Sequence, residues 1–164
     1  MLENTTRRRF FGGAATATLG LLMARDGAGS TATSAAQQEA SPETQLRRLG
    51  IELPPAPQPV ATYVPAVVVG NMLYVAGHTP RRPDGSPGYQ GKVGEDFTVE
   101  EAYEAARVSG INILSTVRNT LGTLDRVVRL VRTFGMVNAV PDFGQHPQVI
   151  NGCSDLLAEV FGPD

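Results

Sequence analysis

The stretch Tyr63–Pro80, YVPAVVVGNMLYVAGHTP, decides the fold of this chain. It contains two short apolar runs, Tyr63–Val69 and Met72–Ala76, which are joined by Gly70-Asn71. A two-residue loop with glycine first is typical of a type II′ turn, so the stretch predicts a tight β-hairpin. Because Val, Leu and Tyr occupy both parities of the runs, we expect both faces of the hairpin to be covered.

The residues after the hairpin predict two helices with a strand between them. Thr98-Val99-Glu100-Glu101 has the form of a capping box, which indicates a long helix to about Leu121 that Gly122 closes. Residues 125–138 are rich in β-branched side chains and predict a strand. A second helix is predicted from Pro147 to about Phe161. The order β-β-α-β-α predicts an α+β fold with both helices on one face of the sheet.

The residues before the hairpin predict a linker or lead-in over 37–59, which leaves 60–164 as the main domain. Within that lead-in, Ser41 is suited to cap a short helix over Pro42–Leu49. The four prolines of Glu52–Pro59 favour an extended chain that stays outside a sheet.

The first 36 residues have the features of a signal peptide. Thr6-Arg7-Arg8-Arg9-Phe10-Phe11 resembles the twin-arginine motif, and a short, mildly apolar run follows it. Small residues near Ala36 provide a cleavage site. We therefore expect export by the twin-arginine machinery to the periplasm or the exterior, with no stable membrane anchor after processing.

The composition excludes several classes of partner and site. The 164 residues carry a net charge of −2, and removal of residues 1–36, with four arginines and two acids, would make it −4. Nucleic acid is therefore not an expected partner, since phosphate binding needs a basic face. The single cysteine excludes an intrachain disulfide, and with only two histidines the chain predicts no metal site.

Several short motifs resemble one family when they are taken together. They are Tyr63-Val64-Pro65-Ala66, Gly70–Val75, Ala76–Pro80, the helix after Thr98, and Val137-Asn138 with Pro141-Asp142-Phe143. From about Leu49 to Phe161 the chain is similar to the YjgF family of reactive-intermediate (enamine/imine) deaminases, the RidA family, also labelled L-PSP endoribonucleases. The resemblance implies a chorismate-mutase-like fold and a homotrimer whose sheets form a central barrel, with ligand clefts between subunits.

The resemblance also implies an activity and a set of ligand-binding residues. Members hydrolyse small enamines or imines to keto acids and ammonia without metal or organic cofactor. The positions that carry over are Tyr63, Gly77 and Asn151, while Tyr63 as a plain aromatic cap remains an alternative. The usual Ser-Gly-Gln of the family is Ala76-Gly77-His78 here, which departs from the family's hydrogen-bonding groups at this strand end. His78 is a fourth candidate because it follows Gly77 at the strand end, where an imidazole can face a pocket.

One expected part of the family pattern is missing. A further strand pair should follow the second helix and supply the arginine that grips the substrate carboxylate, whereas this sequence stops at Asp164. The three predicted strands likewise form a sheet with an unpaired edge. We therefore expect a truncated member with impaired deaminase activity and assign no catalytic residue. The alternative is a non-catalytic trimeric module that binds a small carboxylate or acts as a scaffold. The charge argues against ribonuclease activity.

Overall fold

The computed structural model describes residues 41–162, so the predicted signal peptide at 1–36 lies outside the described residues. The described elements are α1 (Pro42–Arg48), β1 (Ala66–Val69), β2 (Met72–Val75), α2 (Val99–Leu121), a 3-10 turn (Leu124–Arg126) and α3 (His146–Phe161). This is the predicted α+β class, with a small antiparallel sheet and three helices. Within residues 41–162, no helix has the length and apolar character that crossing a bilayer requires.

The helices begin and end where local sequence signals predict. The Thr98 hydroxyl accepts a hydrogen bond from the Glu101 amide at 3.2 Å, and the Glu101 carboxylate accepts one from the Thr98 amide at 2.8 Å. Gly122 ends α2 in the left-handed region at φ 84°, which costs glycine little. Ser41 caps α1 by accepting from the Thr44 amide. These predictions are confirmed because each needs only neighbouring residues.

The core lies between α2 and α3, with α1 packed at one end. Its least exposed side chains, each at most 1% exposed, are Leu46, Leu114, Leu124, Leu156 and Val160. Two glycines let the helices approach closely: Gly110 on α2 faces Leu156 and Cys153, and Gly152 on α3 faces the backbone of Tyr103. A Cβ at Gly152 would overlap the Tyr103 carbonyl oxygen, so glycine is required at this crossing.

The short helix α1 is tied to α2 by a half-buried ion pair. Arg118 donates to the Glu43 carboxylate through Nε at 3.0 Å and through Nη2 at 2.6 Å. Glu43 also accepts from the Leu124 amide at 3.0 Å, so it joins α1, α2 and the 3-10 turn. The sequence predicts a linker or lead-in over 37–59. In the structure, the short helix of this segment also contributes Leu46 to the hydrophobic core.

The hairpin pairs Ala66 with Val75 and Val69 with Met72, in an antiparallel register. Gly70 has φ 61°, as the first loop position of a primed turn requires. Leu73 and Val75 pack against the helical core. The opposite face is open: Val67, Val69 and Tyr74 are 45%, 59% and 60% exposed. On the packed side, Val68 opposite Leu73 is also 53% exposed. The expectation that both faces are covered is therefore met only where Leu73 and Val75 contact the core.

The predicted strand over 125–138 is wrong. Leu124–Arg126 forms a 3-10 turn, and within the described chain residues 128–137 make no backbone–backbone hydrogen bond. The segment becomes paired only at its end, where Val93 bonds to the backbone of Asn138 and Val140. Its composition favours a strand, but a strand also needs a partner edge, and the described sheet contains only β1 and β2.

Candidate functional site

A small cavity lies at the open end of the hairpin and contains three of the four predicted ligand-binding residues. Its volume is about 130 Å³. Its lining is Pro57, Gln58, Pro59, Val60, Tyr63, Pro65, Ala76, Gly77, His78, Thr79 and Arg81. Tyr63, Gly77 and His78 are thus brought together, whereas Asn151 is exposed on α3 and does not line this cavity.

Hairpin pairing explains why these residues meet. Beyond the last strand pair, the Ala76 amide donates to the Pro65 carbonyl at 2.9 Å, which extends the ladder by one step. Tyr63 therefore lies on one side of the hairpin end, and Gly77 with His78 lies on the other. The Tyr63 side chain is 45% exposed, so it can reach a ligand that enters from solvent.

Both ring nitrogens of His78 are occupied. Nδ1 lies 2.8 Å from the Ala76 carbonyl oxygen, which only accepts, so Nδ1 carries the proton. Nε2 lies 2.8 Å from Thr116 Oγ1 and accepts from that hydroxyl. Burial lowers the pKa of His78 below its usual 6.5, and the Ala76 hydrogen bond opposes this shift. His78 is therefore a neutral side chain that positions the cavity wall, with no free nitrogen to act as a base.

Two buried polar side chains on α2 hold the same wall. Asn112 and Thr116 are one helical turn apart and are 3% and 1% exposed. The Asn112 amide nitrogen donates to the carbonyl oxygens of Thr79 and Arg81, each at 3.1 Å. Together with the bond between Thr116 and His78, this fastens the segment after β2 to the middle of the helix.

Sequence reasoning missed Asn112, Thr116 and Arg81. A signal for the first two was present, because they are polar residues among the apolar and small positions of an amphipathic helix. A buried polar group needs a hydrogen-bond partner, so such residues indicate a polar segment opposite the helix. Arg81 gave no such signal, since it stands in a loop of turn-forming residues.

Other candidate sites in the described chain have structural explanations. Glu100, Glu101 and Glu104 line an open depression of about 540 Å³ at the start of α2, where carboxylates are favoured by the helix dipole. Burial raises the pKa of the Cys153 thiol, so it is a packing residue with little thiolate character. Among the described residues, no group of three His, Cys, Asp or Glu side chains could hold a metal ion.

Comparisons with known proteins agree with this architecture. A model of the family described as "YjgF/chorismate mutase-like, putative endoribonuclease" matches residues 43–164. The chain is 40% identical over 119 residues to Protein TCP17 of Trypanosoma cruzi, which covers 73% of this chain and 74% of that protein.

Two solved structures are similar in both sequence and fold. A Shewanella oneidensis MR-1 protein with the same endoribonuclease designation is 35% identical, with a TM-score of 0.71 over 74% of this chain and 80% of that one. Atu1372 of Agrobacterium tumefaciens, a protein of unknown function, is 37% identical, with a TM-score of 0.67 over 79% of each chain. Sequence identities of 35% and 37% indicate membership of the same family as well as a shared fold.

Proposed function

Because this chain belongs to the YjgF/chorismate mutase-like family, we propose that it binds small enamine or imine acids and hydrolyses them to keto acids and ammonia. The observation that carries this proposal is the cavity that joins Tyr63, Gly77 and His78. Tyr63 and Gly77 are positions that carry over from the family resemblance, and His78 is the further candidate that stands next to Gly77.

The cavity volume supports a ligand of this size. An apolar cavity of about 150 Å³ binds benzene, a molecule of six heavy atoms. The cavity at the hairpin end, about 130 Å³, therefore suits a three- or four-carbon acid. A folded RNA segment is much larger and would have to bind outside it.

The reaction needs few protein groups. The oxygen of water adds to the imine carbon, the carbon–nitrogen bond then breaks, and the nitrogen leaves as ammonia. The water supplies the new carbonyl oxygen, so no oxidant or reductant is consumed. Tyr63 lines the cavity and is 45% exposed, so its hydroxyl is available to a substrate or a water. His78 contributes by shaping the wall, because its ring nitrogens are occupied.

Ammonia release tests this proposal directly. A 2-imino acid is generated in place from its amino acid, and release above the spontaneous rate is measured with the full chain. We expect Tyr63→Phe to slow the protein-dependent rate roughly tenfold, the effect of one lost hydrogen bond. Tyr89→Phe, which removes a hydroxyl outside the cavity, should leave the rate unchanged. No release above background would contradict the proposal.

A non-catalytic binding module is the second candidate. It is favoured by the occupied ring nitrogens of His78, which leave the described cavity without a free imidazole base. Measurable binding of a 2-oxo acid without ammonia release would establish it. Cleavage of a labelled RNA in the same preparation would instead support the endoribonuclease designation of the relatives, which the net charge of −2 disfavours.

Assembly as a homotrimer is part of the proposal. The open hairpin face, with Val67, Val69 and Tyr74, is apolar, as a subunit interface would be. Light scattering coupled to size exclusion should therefore give three times the chain mass. A folded monomer at micromolar concentration would contradict it.

Export is also part of the proposal. It is supported by the arginines at 7–9, the Phe pair after them and the short apolar run that follows. Fractionation of cells that express the full chain should place it outside the cytoplasm. An Arg7→Lys, Arg8→Lys, Arg9→Lys variant should remain inside, and equal export of the variant would contradict this route.

A further inference from the structure

The cavity at the hairpin end contains an arginine that has no acidic partner in the described part of the chain. Arg81 lines the cavity and is partly buried. Among the described residues that form the lining, it is the one cationic side chain, and none of the others is Asp or Glu. Its guanidinium makes no hydrogen bond or ion pair that involves another part of the described chain. The cavity therefore carries a positive charge that nothing described in it neutralises.

Other partly buried arginines of the same chain are paired. Arg107 contacts Glu159 at 3.0 Å, and Arg118 contacts Glu43 at 2.6 Å. Removing an arginine from water is costly unless an anion or hydrogen bonds replace the lost hydration. Arg81 differs from those two because it lines the cavity and has no ion pair among the described residues.

The backbone around Arg81 is held in place. Its carbonyl accepts from the buried Asn112 side chain at 3.1 Å, and its amide donates to the Thr79 carbonyl at 2.8 Å. The arginine is therefore fixed to α2 at its main chain, while its side chain has no ion pair within residues 41–162. A fixed backbone lowers the entropy cost of placing the guanidinium on a ligand.

We propose that Arg81 is the side chain that binds the carboxylate of the ligand in this cavity. A guanidinium presents two parallel N–H donors that match the two oxygens of a carboxylate. The Tyr63 hydroxyl and the cavity wall at His78 then lie next to the part of the ligand beyond its carboxylate. The proposal deepens the proposed function, on which it rests for the choice of a 2-oxo acid as ligand.

The test is a binding titration of the full chain with pyruvate. Arg81→Met keeps much of the aliphatic stem and removes the charge, and we expect it to weaken binding roughly 10- to 100-fold. Arg81→Lys keeps the positive charge but lacks the two parallel N–H donors of the guanidinium. We therefore expect its pyruvate affinity to lie between those of the parent and Arg81→Met. Arg82→Met is the matched control: Arg82 is the exposed neighbour, lies near the Asp84 carboxylate and does not line the cavity. It should bind pyruvate as the parent does.

An uncharged probe separates carboxylate recognition from a change of shape. Pyruvamide should bind the parent and Arg81→Met equally, because it has no carboxylate. Equal pyruvate affinity in the parent and Arg81→Met, or an equal loss in Arg82→Met, would overturn the assignment. Pyruvate binding that depends on Arg81 without ammonia release would support the assignment and contradict the proposed deaminase. Ammonia release together with pyruvate binding that is equal in the parent and Arg81→Met would support the proposed deaminase and contradict the assignment of Arg81.

Discussion

The helical layer of this protein buries its apolar side chains, whereas the hairpin layer leaves many of its apolar side chains exposed. Between α2 and α3, Leu114 and Leu156 are fully buried. On the hairpin and in residues 127–138, Tyr74 is 60% exposed and Met136 is 85% exposed. The two helices bury their apolar side chains against each other within one chain. Glycines at the crossing let their backbones approach closely. The extended segments present apolar surface and unpaired backbone, which need a partner from elsewhere.

The largest effect is expected from removing a core side chain of the helical layer. Leu156→Ala should lower the free energy of unfolding by about 3–5 kcal/mol, because it leaves a cavity where the side chain is fully buried. Met136→Ala should cost less than about 0.5 kcal/mol in a single chain, since that side chain is exposed. Urea unfolding monitored by circular dichroism measures both changes.

Repeating both unfolding measurements at several protein concentrations tests the same contrast between the two layers. If another copy covers the exposed segment, the cost of Met136→Ala should grow as the protein concentration rises, whereas the cost of Leu156→Ala should change little. Similar costs for the two substitutions at low concentration would contradict the contrast between the layers.

A somewhat smaller effect is expected from filling the helix crossing. Alanine favours a helix over glycine by about 1 kcal/mol, so Gly152→Ala would be stabilising on an isolated helix. Here its Cβ would overlap the Tyr103 carbonyl oxygen, and the two helices would have to separate. We expect a net loss of about 1–3 kcal/mol in the free energy of unfolding, measured by urea titration.

The control for this substitution is Gly144→Ala. Gly144 has no atom within 4 Å of an added Cβ, so the change should lie within about 0.5 kcal/mol of zero. A stabilised Gly152→Ala protein would show that the helices are less closely packed than the structure has them.

The smallest effect concerns His78, which joins the two layers. Its pKa is lowered from 6.5 by burial, so below about pH 6.5 the unfolded chain binds more protons than the folded one. The His78 contribution to stability is complete above that pH and is lost as the pH falls through the folded pKa. His78→Gln should therefore flatten the decline in unfolding free energy between neutral and mildly acidic pH.

Urea titrations at several pH values measure this difference. Identical pH profiles for the parent and His78→Gln would contradict the inferred environment of His78.

The accuracy of the sequence predictions follows the range of the interactions involved. The capping box at Thr98 and Glu101 and the glycine turn at Gly70 were predicted correctly because their partners are three residues away or fewer. The strand over 125–138 was predicted wrongly because a β-rich composition does not specify which edge it pairs with. The site shows the same division: Tyr63 and Gly77 came from motifs, whereas Arg81 came only from the contents of the cavity.

The sequence by itself determined the hairpin, the helix ends and the α+β class, since turns, caps and hydrophobic periodicity act over a few residues. Tertiary structure alone decided three features: the close crossing of α2 and α3 at glycine, the two occupied ring nitrogens of His78, and the position of Arg81 in the cavity without an acidic partner among residues 41–162. Each depends on which residues distant in sequence come within a few ångströms. His78 and Thr116, 38 positions apart, bond at 2.8 Å only because the hairpin end packs against the middle of α2.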